Sequence, residues 1–330
     1  MENMAKFVIE WKAFERETAL YRTTIPAMFN FLQQNIQGRE VQHLTPFCYK
    51  TSRAHTLVLE DFKMANRHDR LDLLHCTLAR KGLAKFHAAF LALCDKNPNS
   101  MDDYAENMYT EKNRHSVVNF MASNINALAN VVERWPGFDK YGDKLRGVIP
   151  AFWDRIADIV KPIPDSLYVL NHGDFWINNM MFHYCPETGK PDQVGFIDFQ
   201  LARYSTPVLD LQYFIHTSAS ELVRSEYTEH LLQVYHTELR DKLKTLGCDH
   251  HIYPFEQMKE YEDSSFFGLI TACTVLSAVL ADPADAFDLE NMLEDGNNLN
   301  SKSLGKTYSG SRYKEAFQKL LPQFERKGLL

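Results

Sequence analysis

Apolar residues recur at spacings near three and four through residues 3–34, where Phe7, Trp11, Phe14, Tyr21 and Ile25 share one face of a predicted helix. Pro26 interrupts or kinks it. The period then shortens. Residues 41–51 and 56–62 read as two strands about the polar turn Ser52-Arg53-Ala54-His55. After Lys63 the pattern becomes helical. Residues 69–94 predict one or two helices and 116–135 another, with a loop over 95–100 between them. Residues 140–160 are helical, bent or divided by Pro150. Residues 208–217 and 221–246 predict helices separated by small residues, and 258–280 and 313–324 complete a helical region. Residues 282–310 are polar and acidic, with Gly, Asn and Ser near the end, and read as a mobile loop. No internal repeat is visible. The pattern puts a boundary near residues 61–66.

The stretch from residue 168 to 210 departs from this helical pattern. Met180 to Tyr184 is an apolar and aromatic run, Pro186-Glu187-Thr188-Gly189-Lys190 is turn chemistry, and Gln193 to Ile197 is a second apolar run. These predict a β-hairpin. Counting from a tip between Thr188 and Gly189 pairs Asn179 with Asp198 at the open end. Asp174 lies a few residues away on the incoming loop. Two oxygen ligands beside a further carboxylate suit a hard cation holding a phosphate, with a base nearby. Asp174 is then the candidate general base, and Asn179 and Asp198 are candidate Mg²⁺ ligands.

Composition narrows the picture further. The 330 residues suffice for a large core, and 45% hydrophobic with 24% charged residues is ordinary for a soluble globular chain. A net charge of −7 without a long basic run argues against nucleic acid as an obligate partner. The six cysteines, at 48, 76, 94, 185, 248 and 273, include no C-x-x-C pair, which predicts reduced structural thiols. The opening MENMAKFVIEW is no signal peptide, and the best apolar run, 266–281, is short and holds Thr and Ser, so it predicts a buried helix and no membrane span. The expected compartment is cytoplasmic.

His172-Gly173-Asp174-Phe175-Trp176 followed by Asn179, with Ile197-Asp198-Phe199-Gln200 beyond, resembles the small-molecule phosphotransferases of protein-kinase-like fold. Trp176 and Gln200 make the pattern similar to the insect ecdysteroid-kinase-like family. The resemblance extends to Phe14, Glu17, Tyr21 and Pro26 as the first long helix, to Leu57 to Phe62 as the hinge strand between lobes, and to Leu83 to Ala89 as an early helix of the large lobe. It implies an α+β, two-lobed kinase-like fold. Residues 1–63 would be a truncated small lobe of one helix, two strands and hinge, and 64–330 a mainly helical large lobe. It also implies ATP and Mg²⁺ as cofactors and a small-molecule hydroxyl as acceptor, with ecdysteroids or related steroid and xenobiotic alcohols as candidates.

Further roles follow from the resemblance. His172 and Asp210 would brace the catalytic loop, and Glu60, Asp61 and Phe62 would present hinge groups to the adenine. Trp176, Tyr204 and Tyr213 could line an acceptor pocket, or equally serve the core. Glu17 would pair with a phosphate-binding lysine on a strand ahead of it. Here the chain opens directly into helical sequence, the first glycine is Gly38, and Lys6 and Lys12 lie in helix-like surroundings. Glu17 therefore reads equally as a support residue or as an exposed helix glutamate. His87, among Phe86, Ala88, Ala89 and Phe90, reads as a core histidine. Two functional readings stay open: an active kinase, or a kinase-like protein that binds without phosphoryl transfer.

Overall fold

The computed structural model describes residues 12–35, 43–66, 70–105, 108–161, 166–263, 266–280 and 305–330. Phe7, Trp11 and most of the loop expected over 282–310 lie outside these residues. The described residues gather into two compact units, one from 12–107 and 162–262, the other from 108–161 and 263–330.

In the first unit, helix α1 (Ala13–Ala19) passes through one π-helical turn, Leu20–Thr24, into α2 (Ile25–Asn35). Pro26 falls in the first turn of α2, where its missing N–H is tolerated; the irregularity expected at the proline lies just before it. Strands β1 (Cys48–Tyr49) and β2 (Val58–Leu59) pair antiparallel, with Cys48 opposite Leu59. They are far shorter than the runs expected over 41–51 and 56–62. Phe47, Tyr49 and Val58 remain exposed, so this pair gains little burial to extend it.

Strand β3 (Ala65–Asn66) precedes the long helix α3 (Leu73–Lys96). The Asp72 carboxylate starts that helix by accepting the N–H groups of Leu74 (3.0 Å) and His75 (3.1 Å). Pro98, which disfavours helix at the residue before it, follows its end. Four strands come next: β4 (Val169–Asn171), β5 (Met180–Tyr184), β6 (Pro191–Phe196) and β7 (Arg203–Ser205). Their sheets run β3-β5-β6 and β4-β7. Helices α4 (Val208–Thr217) and α5 (Thr228–Thr245) complete the frame around the site, and every residue of α4 is buried. Mainly helical with short strands, the described fold is α+β.

The hairpin forms as expected, but its register differs. Met180 lies opposite Phe196, and the Ile197 N–H donates to the Asn179 carbonyl at 3.1 Å. Asn179 therefore faces Ile197 rather than Asp198. A register shift between His183 and Tyr184, and a turn closed by the Cys185 N–H on the Lys190 carbonyl (2.9 Å), set the count instead of the midpoint of the turn residues. Asp198 sits just beyond the ladder, in the left-handed region with φ 63°.

The second unit is built from helices Arg114–Val132, Lys140–Gly147, Phe152–Val160, Phe267–Thr274, Leu276–Leu280 and Ser311–Arg326. Pro150 falls in the break between the second and third of these, as its missing N–H requires. Tyr308 donates to Asn124 Oδ1 at 2.9 Å from the turn before the last helix, and Tyr141 to Glu325 Oε2 on that helix at 2.6 Å, tying the C-terminal segment to the earlier helices. The apolar run after Phe266 is a buried helix pair, and no described helix is long and apolar enough to cross a membrane.

Candidate active site

The site is organised around one buried aspartate. Asp210, in the first turn of α4, accepts the His172 N–H at 2.7 Å and the Gly173 N–H at 3.0 Å. His87 of α3 places Nε2 3.5 Å from Asp210, while its Nδ1 meets the Tyr235 hydroxyl of α5 at 2.8 Å. Burial disfavours charge on Asp210, but the contact with His87 and the Gly173 N–H outweigh it and hold the carboxyl below its usual range. Burial keeps His87 neutral. The expected core histidine is thus also a strut beneath the loop. That link was not legible in the sequence, because His87, Asp210 and Tyr235 lie on three helices with no spacing rule joining them.

His172 follows β4, whose pairing with β7 brings it beside the segment from Asp198 to Leu201. Its Nε2 donates to the Ile197 carbonyl at 2.9 Å, and its ring lies 4.4 Å from that of Phe199. Burial lowers the imidazole pKa, so His172 acts as a neutral spacer joining loop to hairpin. Gly173 has φ +86°, and a Cβ there would fall 1.9 Å from the Leu201 carbonyl oxygen. The His-Gly-Asp motif therefore needs glycine for both backbone angle and space.

Asp174 and Asn179 meet directly. Asn179 Nδ2 donates to the Asp174 carbonyl and to Asp174 Oδ2, both at 2.9 Å. Two acceptors on that side fix the amide orientation and turn its carbonyl oxygen the other way, where no described donor meets it. Tyr213 donates to Asp174 Oδ1 at 2.6 Å. Tyr213, a candidate for either pocket or core, is buried and ties its hydroxyl to the candidate base. Asp198 is half-buried and its pKa rises to about 6, through burial and then the charge of Asp174. Two acids that repel one another beside a free amide oxygen make a donor set suited to a hard divalent cation.

Glu17 is not an exposed helix glutamate. It is half-buried on α1 and its Oε1 accepts the Phe199 N–H at 3.2 Å. Burial, and after it the Asp198 charge, raise its pKa to about 7. Tyr21, one turn along, is buried with its ring edge-on to Phe199 at 5.6 Å. Of the hinge residues, the Glu60 N–H is engaged by the Phe47 carbonyl at 2.8 Å and its carboxylate accepts the Phe47 N–H at 3.1 Å. Asp61 accepts the Lys63 N–H at 3.2 Å. The Phe62 ring covers Gly195, where a Cβ would lie 1.9 Å from Phe62 Cε1. The Trp176 indole N–H is buried without a partner among the described residues. Tyr204 packs with Phe90 and Tyr168 rather than joining the groups around Asp174.

The described fold is mainly helical α+β, and the loop and hairpin bring Asp174 and Asn179 together at its site. The chain belongs to the ecdysteroid kinase-like family, whose sequence profile matches residues 1–248 and whose class is that of small-molecule kinases. No curated protein matches it. Matching solved structures include an ethanolamine kinase of Plasmodium vivax, at 16% identity and TM-score 0.45, over 95% of this chain and 74% of that one. A choline kinase from Cryptosporidium parvum matches at 12% identity and TM-score 0.45, over 94% of this chain and 80% of that one.

Proposed function

We propose that the protein transfers the γ-phosphoryl group of ATP to a hydroxyl of a small molecule. Ecdysteroids are the acceptor class that the family description favours, with related steroid or xenobiotic alcohols as further candidates. The observation that carries this reading is the convergence of Asp174, Asn179 and Asp198, with the Asn179 carbonyl oxygen left over. Asn179 and Asp198 would hold Mg²⁺, which neutralises phosphate charge when bound. Asp174 would accept the proton of the attacking hydroxyl. Each of its oxygens already takes one hydrogen bond and keeps lone-pair capacity for another. Tyr213 and Asn179 hold that carboxylate in one orientation, which is what in-line attack requires of a base. A reducing, cytoplasmic setting would suit six cysteines that include no C-x-x-C pair.

The test is steady-state turnover and Mg-ATP titration on the purified chain. Asp174→Asn should leave nucleotide affinity nearly unchanged and lower turnover by about 10²- to 10⁴-fold. Asp198→Ala should abolish Mg-nucleotide binding. Equal losses of affinity and turnover in Asp174→Asn would mark a structural aspartate instead.

One observation favours a second reading, binding without transfer. The Glu17 carboxylate, which the family resemblance pairs with a phosphate-binding lysine, is engaged by the Phe199 N–H. Retained Mg-ATP binding with no turnover across a panel of steroid and xenobiotic alcohols would support that reading over the first.

A further inference from the structure

A second cluster of ligating side chains sits where α3 and α5 end. Asp95 lies in the last turn of α3, and His250 and His251 in the 3₁₀ turn Asp249–His251 after α5. Both imidazoles turn Nε2 to the same carboxylate: His250 at 3.2 Å and His251 at 2.8 Å from Asp95 Oδ1. Their ring centroids are 4.1 Å apart, and the three ligating atoms all lie within 4.8 Å of one another. Around a tetrahedral zinc ion with bonds of about 2.0–2.1 Å, neighbouring donors stand about 3.3 Å apart. The two histidine-to-carboxylate distances are thus already close to the edge length of such a tetrahedron. A carboxylate at the C-terminal end of a helix also adds to the negative end of its dipole, so a shared cation is favoured there.

We propose that Asp95, His250 and His251 form a binding site for a zinc-class divalent ion, which fastens the end of α3 to the turn after α5. Two imidazoles and one carboxylate suit zinc and its neighbours, and do not suit Mg²⁺. Asn179 and Asp198 offer oxygen alone, so the two sites differ in the ion they select. The Cys248 thiol donates to the Leu246 carbonyl at 3.4 Å and stands outside the donor set, and water completes the coordination. The fastening has a structural consequence. The same two helices carry His87 and Tyr235, which meet beside Asp210, so the ion would stiffen the helix pair that supports the catalytic loop.

The full-length chain, stripped with chelator, would be titrated with Zn²⁺ by calorimetry and loaded with Co²⁺ for visible absorption. One zinc equivalent should bind, Tm should rise with zinc concentration, and Co²⁺ should give the bands of a four-coordinate nitrogen and oxygen site. The double variant H250A/H251A should lose that equivalent. Asp95→Asn, which keeps the shape of the side chain, should weaken it, while Asp198→Asn should retain it. Equal zinc binding by wild type and H250A/H251A would overturn the proposal, as would a Tm indifferent to zinc. A thiolate-to-cobalt charge-transfer band would overturn the donor set. The cobalt spectrum of the unmodified protein needs no variant, so a variant that fails to fold leaves the proposal open to refutation.

Discussion

Tyr213 and Asp174 are 39 residues apart, yet one hydroxyl fixes one carboxylate oxygen at 2.6 Å. Removing it by Tyr213→Phe should lower turnover roughly three- to tenfold, the worth of a single net hydrogen bond, with little change in the KM for ATP. A KM effect without a kcat effect would return Tyr213 to the pocket wall. Glu17 and Asp198 give a second residue-scale expectation. Their folded pKa values, about 7 and about 6, lie above the ordinary 4.5 and 3.8. The folded chain therefore binds more protons than the unfolded chain between those values. In metal-free buffer this stability should be full below pH about 4 and be lost as pH rises through about 6 to 7. Thermal melts in EDTA across that range would check it, and Asp198→Asn should flatten the slope. A Tm that climbs across the window would contradict the assignment. Motif residues were legible because their chemistry is written in consecutive positions, as in His172-Gly173-Asp174. The pairings that Tyr213, His87 and Tyr235 make around them were not, since only folding brings these residues together.

Among the elements, the hairpin illustrates both what sequence pattern can fix and where it stops. Alternation and turn residues located β5 and β6, but counting from the turn missed the register by one. A shift at His183/Tyr184 adds an offset that no apolar pattern records. The β1–β2 pair was overestimated because alternation signals a strand only where one face is buried, and Phe47, Tyr49 and Val58 stay exposed. Two glycines make the packing of this region testable. Gly173→Ala would combine a positive φ with a Cβ 1.9 Å from a carbonyl oxygen, and should cost at least about 1–3 kcal/mol in urea unfolding. In Gly195→Ala the three nearest atoms to the new Cβ all belong to the Phe62 ring, so Phe62 should be displaced while the hairpin survives. Unchanged near-ultraviolet circular dichroism and unchanged nucleotide affinity in that variant would show that Phe62 is not bound to the hairpin as described.

For the molecule as a whole, the described elements differ widely in how deeply they are held. Helix α4 is buried along its length, and the middle of α3 is nearly as deep, whereas β1 and β2 contribute two residues each and keep large side chains in solvent. Native-state hydrogen exchange should reflect this order. Amides of 83–92 and 211–215 should exchange only on global unfolding, and those of 48–60 by local opening with much smaller protection. Uniform protection across these segments would refute the ranking.

The bond from the Phe199 N–H to Glu17 has a wider bearing. It makes the seating of α1 and the position of the Asp198 segment a single thermodynamic variable. Whatever draws α1 closer also steadies the carboxylate next to Phe199, and whatever occupies that carboxylate must in turn favour the seated helix, by the same free energy. A protein, peptide or small molecule that grips α1 from outside would thus bias the position of the Asp198 segment without touching it.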